Sequence, residues 1–398
     1  VMKKRLLFIM PSLSAGGGEK SLVNLLSQLD YNEYQVDLFL FNHDGIFMEY
    51  LPPEVRVLPS QQTYKWFTLP FVSSVLKLLR ERKLSLVFNR LMYAFNVRRA
   101  RSIPINEQHS WKHLSRALEK LDAHYDVAIG FLENTSTYLC VDKVDAAKKI
   151  GWVHIDYDQF GMDPAIDRLY FEQLNHIVTV SDECAEILRA RFPDQRKKIH
   201  VVYNIVSPDM IYKMAEEEDE DLYSRKNGEQ VILSIGRLHD QKGFEWAIEA
   251  CSILVERGCK VKWYVIGEGE LREALTELIR KYGVEHQFHL LGLKSNPYPF
   301  LKQADLYVQP SRYEGKSIAI DEAKIMKKPI VVTNFSTAKD QIQHEENGLI
   351  VGMDPCAIAD GIEKLITDDT LRGRFVGNLS RSKLGTEEEI TKLNSLFA

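Results

Sequence analysis

Short apolar runs alternate with longer stretches of helical period along most of this chain. The runs are Arg5–Met10, Gln35–Phe41, Asp126–Gly130, Lys148–Val153, His176–Val180 and Lys198–Val202, then Val231–Gly236, Val261–Gly267, Phe288–Gly292, Asp305–Gln309, Pro329–Thr333 and Leu349–Val351. Their shortness and their β-branched residues predict strands. Between them, segments such as Glu19–Leu29 and Phe244–Glu256 repeat apolar positions at helical spacing. Strand then helix, repeated, predicts parallel sheets covered on both faces, because each parallel connection needs a crossover. The expected class is α/β with two doubly wound Rossmann-like domains, 2–204 and 231–380. A linker is expected over 205–230, and a helical tail over 381–398 for which a return to the N-terminal domain is one expectation.

The pattern breaks at about 64–116. Eleven basic residues stand there against Glu81 and Glu107, interleaved with Trp66, Phe67, Phe71, Phe88, Tyr93, Phe95 and Trp111. Two readings remain: a helical insertion that covers the sheet with solvated basic residues, or a surface for anionic lipid. The acidic run Glu216–Asp221 reads as a solvated connector.

At 398 residues the chain is long enough for two ordinary cores. A net charge of −5 argues against a general nucleic-acid binder, so no nucleic-acid partner is expected. Cys140, Cys184, Cys251, Cys259 and Cys356 are odd in number and contain no Cys-x-x-Cys, which suits a reducing compartment rather than a disulfide framework or zinc site. No apolar run approaches the roughly 18 residues that span a bilayer. The expected location is the cytoplasm, with the inner face of the membrane as a peripheral site.

Chemistry concentrates in the second half. Asp305–Ser311 is strand-like, the segment after Ser317 is helical, and Gly315–Ser317 forms the turn between them. A helix start offers unpaired N–H groups to a phosphate, so Gly315, Lys316 and the amides of Ser317 and Ile318 are candidate diphosphate contacts. Glu314 and Glu322 flank that turn. Carboxylates repel a diphosphate and accept from neutral hydroxyls, so the pair points to a sugar nucleotide, with Glu314 on the sugar and Glu322 on the ribose. Gly236, Arg237 and Lys242 lie on the turn after Val231–Gly236, where ligands of open α/β sheets bind. A guanidinium and an ammonium there can stabilise the charge on a departing nucleoside diphosphate, so no metal or cofactor is required. The base is expected beside Leu293, after Gly292. Gly16-Gly17-Gly18 allows close backbone approach but lacks Gly-x-Gly-x-x-Gly, and Pro310 stands where a P-loop needs glycine.

Val231–Asp354 resembles the C-terminal domain of the family 4 retaining glycosyltransferases. The matching residues are Ser234-Ile-Gly-Arg-Leu238 with Lys242-Gly243, Val265-Ile-Gly-Glu-Gly269, Pro310-Ser311, Glu314-Gly315 with Glu322-Ala323, and Asn347-Gly-Leu349. Gly16–Lys20, His154, Val180-Ser181 and Tyr203-Asn204 are weaker matches in the first half. The resemblance implies the GT-B fold, two Rossmann-like domains facing each other across a cleft. It implies donor binding in the C-terminal domain, acceptor binding in the N-terminal domain, Gly16 and Gly17 near the diphosphate, and His154 beside the donor sugar. It further implies transfer of a hexose or N-acetylhexosamine from a UDP-sugar, with retention, to a glycan or lipid-linked acceptor in bacterial surface polysaccharide synthesis. Lys316 departs from the family pattern, which is apolar or small there. Two rivals remain open: a metal-dependent enzyme using Asp156-x-Asp158, and a non-catalytic nucleotide-sugar-binding partner subunit.

Overall fold

The computed structural model describes residues 3–14, 16–99, 102–217, 222–223 and 228–398. The chain divides into two compact units, one containing Gly18–Tyr203 and Glu388–Ala398, the other Asn204–Glu387. Arg101 of the basic segment and residues 218–221 of the acidic run lie outside the described residues.

The first unit holds a parallel sheet of β1 (Lys4–Met10), β2 (Tyr34–Leu40), β3 (Arg56–Val57), β4 (His124–Gly130), β5 (Asp145–Val153), β6 (His176–Thr179) and β7 (Ile199–Val201). Its order is β3-β2-β1-β4-β5-β6-β7. The second unit's strands are β8 (Gln230–Ile235), β9 (Val261–Ile266), β10 (Phe288–Gly292), β11 (Leu306–Gln309), β12 (Ile330–Thr333) and β13 (Leu349–Val351). They run β10-β9-β8-β11-β12-β13, all parallel. Every apolar run above forms a strand. Only β3 was not legible, because two residues at a sheet edge carry no periodicity.

Leu6 to Met10 are wholly buried on both faces, as a central parallel strand must be. Covering helices complete each core. Phe244–Glu256 packs Phe244, Ile248, Cys251 and Leu254 against Trp263 and Val265 of β9. The 64–116 segment forms the helices Gln62–Thr68, Phe71–Arg80, Leu84–Val97 and Ile103–Leu114. They send Phe67, Leu78, Leu86 and Trp111 into the core beside Leu7 and Ile9. The segment expected as a linker is only partly that. Helix Pro208–Ala215 buries Ile211 and Ala215 in the second core, and Tyr212 donates to the Ile325 carbonyl at 2.7 Å. The last helix, Glu389–Phe397, packs in the first unit. Lys4 Nζ donates to the Phe397 carbonyl at 3.1 Å, and buried Glu389 accepts from the Tyr203 amide at 3.0 Å.

One buried acid of the first unit gives a pH test. The Asp167 carboxyl accepts from Tyr138, from Tyr157 and, at 3.0 Å, from Gln108 Nε2. Burial dominates those bonds and raises its pKa from 3.8 to about 6. Between these values the folded chain holds a proton that the unfolded chain has released, so stability falls as pH rises through this window. About two pKa units correspond to about 3 kcal/mol. The unfolding free energy of Asp167→Asn minus that of wild type should therefore increase by about that amount from pH 4 to pH 7 in denaturant titrations. A difference independent of pH would refute the assignment.

Candidate active site

The order in which the chain visits the strands of the second sheet reverses between β8 and β11, which are parallel hydrogen-bonded neighbours. The loops after these two strands leave toward opposite sides, and a crevice forms between them at the carboxyl edge. Gly236, Arg237 and Lys242 lie on the first loop, Glu314 to Ser317 on the second. The loops are tied together. The Arg312 amide donates to the Gln241 carbonyl at 2.8 Å, and Gln241 Nε2 to the Tyr313 carbonyl at 2.9 Å. Gly243 sits at φ +62°, where an added Cβ would come within 2.1 Å of the Pro310 carbonyl oxygen. Only glycine lets the loops meet so closely.

That closure presses Lys242 onto Glu314. Lys242 Nζ lies 2.6 Å from Glu314 Oε1, with the side chains only 16% and 7% exposed. Ser311 Oγ and Gln309 Nε2 reach the same oxygen at 2.6 and 3.0 Å. The strand explains why. Tyr307, Gln309 and Ser311 alternate onto one face, forming a chain in which the Tyr307 hydroxyl donates to Gln309 Oε1 and Gln309 to Ser311 and Glu314. Three donors hold Oε1, while Oε2 takes none of these bonds. Arg237 is exposed, and among the described residues no hydrogen bond or salt bridge holds its side chain, although the Tyr313 phenol lies within its electrostatic reach. The two cations thus differ: Lys242 is committed to Glu314, whereas Arg237 is uncommitted.

Helix Ile318–Ile325 follows the second loop. Glu322 is buried and accepts from the Tyr298 hydroxyl at 2.8 Å. The Ser317 amide differs from expectation, since it donates to Gln341 Oε1 at 2.9 Å, and Gln341 Nε2 returns bonds to the Ser317 carbonyl and Asp321 Oδ1. Gln341 thereby occupies one amide assigned to phosphate. Ile318 opens the helix, where its amide has no intrahelical acceptor. Lys316 Nζ is 4.0 Å from Asp321 Oδ2, both side chains nearly buried, so part of its charge is balanced within the helix start. Leu293 is exposed beyond Gly292. The Gly267 amide donates to the Gly292 carbonyl at 2.9 Å, which brings the ends of β9 and β10 together.

Gly16, Gly17 and His154 lie at the carboxyl edge of the other sheet. Gly17 opens helix Gly17–Ser27, and a Cβ there would meet nothing within 4 Å, so packing does not demand glycine. His154 follows β5. Its amide donates to Glu133 Oε2 at 3.0 Å, and its ring lies against Trp152 and Phe131. Burial lowers its pKa to about 3, which keeps the ring neutral, and a ring N–H donates to the Phe131 carbonyl. Nε2 is buried without a hydrogen-bond partner, so Nδ1 carries the proton and Nε2 is an open acceptor. The Asp156-x-Asp158 pair has separate work. Asp156 caps helix Tyr157–Phe160, and Asp158 pairs with Arg191 at 2.8 Å. Among the described residues no three His, Cys, Asp or Glu side chains group as a metal site.

Several participants were not legible in sequence. Gln309 is a polar residue ending an apolar strand, a weak signal that could have been used. Gln341 and Tyr298 carry none. Nor does Glu107, on an insertion helix, which accepts from Asn134 Nδ2 at 3.1 Å and has its pKa raised by burial. Asn134 follows β4 at φ +59°, ψ −126°, a strained conformation for a non-glycine residue beside the first sheet's own reversal point.

The family model for glycosyl transferases group 1 matches residues 215–380. An uncharacterized glycosyltransferase of Methanocaldococcus jannaschii is 26% identical over 257 residues, 56% of this chain but only 63% of that relative's length. The N-acetylgalactosamine-N,N'-diacetylbacillosaminyl-diphospho-undecaprenol 4-alpha-N-acetylgalactosaminyltransferase of Campylobacter jejuni is 25% identical over 376 residues, 94% of this chain and 93% of its own. Among solved structures, a point mutant of S. aureus TarM in complex with fondaparinux, alpha-GlcNAc-glycerol and UDP superposes with a TM-score of 0.66 at 15% identity, over 99% of both chains. The chain thus has the GT-B fold, with two parallel-sheet α/β units, and its residues 215–380 match the glycosyl transferases group 1 family.

Proposed function

We propose that the protein transfers a hexose or N-acetylhexosamine from a UDP-sugar to a glycan or lipid-linked acceptor with retention of configuration, in bacterial surface polysaccharide synthesis. The observation that carries this reading is the buried Lys242–Glu314 pair at the β8/β11 reversal point, beside the uncommitted guanidinium of Arg237. UDP is favoured by its presence in the TarM complex, and a lipid-linked acceptor by the name of the Campylobacter relative. The proposed location is the cytoplasm, at the inner face of an anionic membrane.

Arg237 and Lys242 neutralise the pyrophosphate as it departs, which places no demand on a metal ion. Glu314 Oε2 accepts from hydroxyls of the transferred sugar, and Lys242 couples this carboxylate to the phosphate. Glu322 takes the ribose diol, and the Ile318 amide with Gly315 contacts the diphosphate. His154 Nε2 accepts a substrate hydroxyl. In the step itself, the bond between the anomeric carbon and the β-phosphate oxygen breaks while the acceptor oxygen bonds to the same face of that carbon. The acceptor proton passes to the departing phosphate oxygen, so charge and atoms balance.

Lys242→Met and Glu314→Gln should each lower kcat with the soluble donor by about 100-fold or more, the scale of losing one preorganised electrostatic contact. Each single change also breaks a buried pair at a cost of about 3–5 kcal/mol, and the double variant should regain much of that stability without regaining turnover. Recovery of turnover in the double variant would make the pair merely structural. Glu322→Ala should weaken UDP binding roughly tenfold by calorimetry, as expected for a lost charged hydrogen bond. NMR of the product should show the donor's anomeric configuration, and activity should survive a chelator. Purified chain that binds UDP yet turns over no donor would instead favour the non-catalytic subunit.

A further inference from the structure

The helices Phe71–Arg80 and Leu84–Val97 have their apolar stripes on the wrong side for a water-facing hairpin. Val72, Leu76 and Leu79 follow the i, i+4, i+7 spacing of one helix face, and all three are exposed, Val72 at 66%. Leu84, Phe88, Leu91 and Phe95 repeat that spacing through the second helix and are exposed too, Leu84 at 68% and Phe88 at 61%. Such a face normally meets a core. Here the core contacts come from Leu78 and Leu86 instead, so the hairpin has two faces and only one is used. Ten of the fourteen large exposed hydrophobic residues among the described residues fall between Leu69 and Ile103. Patches of this concentration mark interaction sites.

Charge selects the occupant. From Tyr64 to Arg99 there are eight basic residues and one acid. That acid, Glu81, is paired with Lys77 at 2.8 Å. Arg80, Arg82 and Lys83 sit at the turn between the helices, and no ion pair holds them among the described residues. Arg98 and Arg99 lie over the Phe71 and Phe95 rings, guanidinium beside apolar face. A second copy of this chain would oppose one basic rim with another. An anionic bilayer offers acyl chains to the stripes and headgroup phosphates to the rim. Among the described residues no helix is long and apolar enough to cross a membrane, which restricts the hairpin to the interface.

We propose that the hairpin Phe71–Val97 is a membrane-insertion wedge that seats Leu76, Leu79, Phe88, Leu91 and Phe95 below the headgroups of an anionic leaflet, with Arg80, Arg82 and Lys83 on the phosphates. Docking in this way rests on the proposed membrane location and needs no part of the transfer chemistry. Both components leave separate signatures. Salt removes the electrostatic one and leaves the apolar one.

The test is flotation of the full chain with vesicles of phosphatidylcholine alone or with 30% phosphatidylglycerol, at about 0.1 M and 1 M salt. Wild type should bind the anionic vesicles at both salts, several-fold less at the higher. Leu76→Ser with Phe88→Ser, both at exposed positions, should lose binding at least tenfold even at low salt, with an unchanged thermal melt. Replacing Arg80, Arg82 and Lys83 by Ser should abolish the preference for phosphatidylglycerol. Wild-type binding that vanishes at 1 M salt, or a serine double variant that floats like wild type, would overturn the wedge. So would a wild-type dimer in sedimentation that the double variant converts to monomer, since the patch would then be a self-interface. Donor hydrolysis measured without vesicles fails or succeeds independently of these outcomes.

Discussion

A lysine ammonium and a glutamate carboxylate brought to 2.6 Å in a nearly buried position need a scaffold that will not let them separate, because either charge alone would be poorly solvated there. The scaffold is the parallel sheet at the point where its order reverses. Adjacent strands β8 and β11 come from segments some seventy residues apart, and their following loops can be tied only because Gly243 has no Cβ to strike Pro310. Sheet order, one glycine and a pair of loop hydrogen bonds thus bring two ordinary surface-type residues into a desolvated pair. The rest of the site leans on this: Ser311 and Gln309 orient the carboxylate, and the Tyr307 hydroxyl orients Gln309.

The two units use the same architecture with different electrostatics. At the second sheet's edge, charges are present and compensated, with Arg237 the uncommitted cation. At the first sheet's edge, burial works against charge at two groups: it keeps His154 an unprotonated ring with an open Nε2, and it raises the pKa of Glu107. Under the proposed function, the first arrangement would serve a charged diphosphate and the second would serve uncharged hydroxyls. The same burial that raises Asp167 to about 6 acts deeper in the first unit, where tyrosine hydroxyls replace a cation as partners and leave the carboxyl costly to ionise.

The basic segment shows one stretch of chain serving core and surface at once. Both readings of 64–116 draw on features that coexist: Phe67, Leu78, Leu86 and Trp111 seal the first core, and the stripes led by Val72 and Leu84 face outward. Counting basic and aromatic residues could not separate these roles, because helix period is the same for a face turned in and a face turned out.

Parallel strand and helix alternation was legible from the chain because burial on both faces leaves continuous apolar runs, and all but the two-residue β3 were found that way. The placement of Arg237, Lys242, Glu314 and Glu322 on the loops after β8 and β11 and in the helix that follows was legible too, as was the helix Phe244–Glu256. What the chain order could not reveal were contacts made across long separations: Gln341 on the Ser317 amide, Tyr298 on Glu322, Lys242 committed to Glu314 rather than shared freely, the packed helix within 205–230. Periodicity records which side of an element is apolar. Which partner meets that side, and which amide is already spoken for, depends on the distances between elements that only the folded arrangement sets.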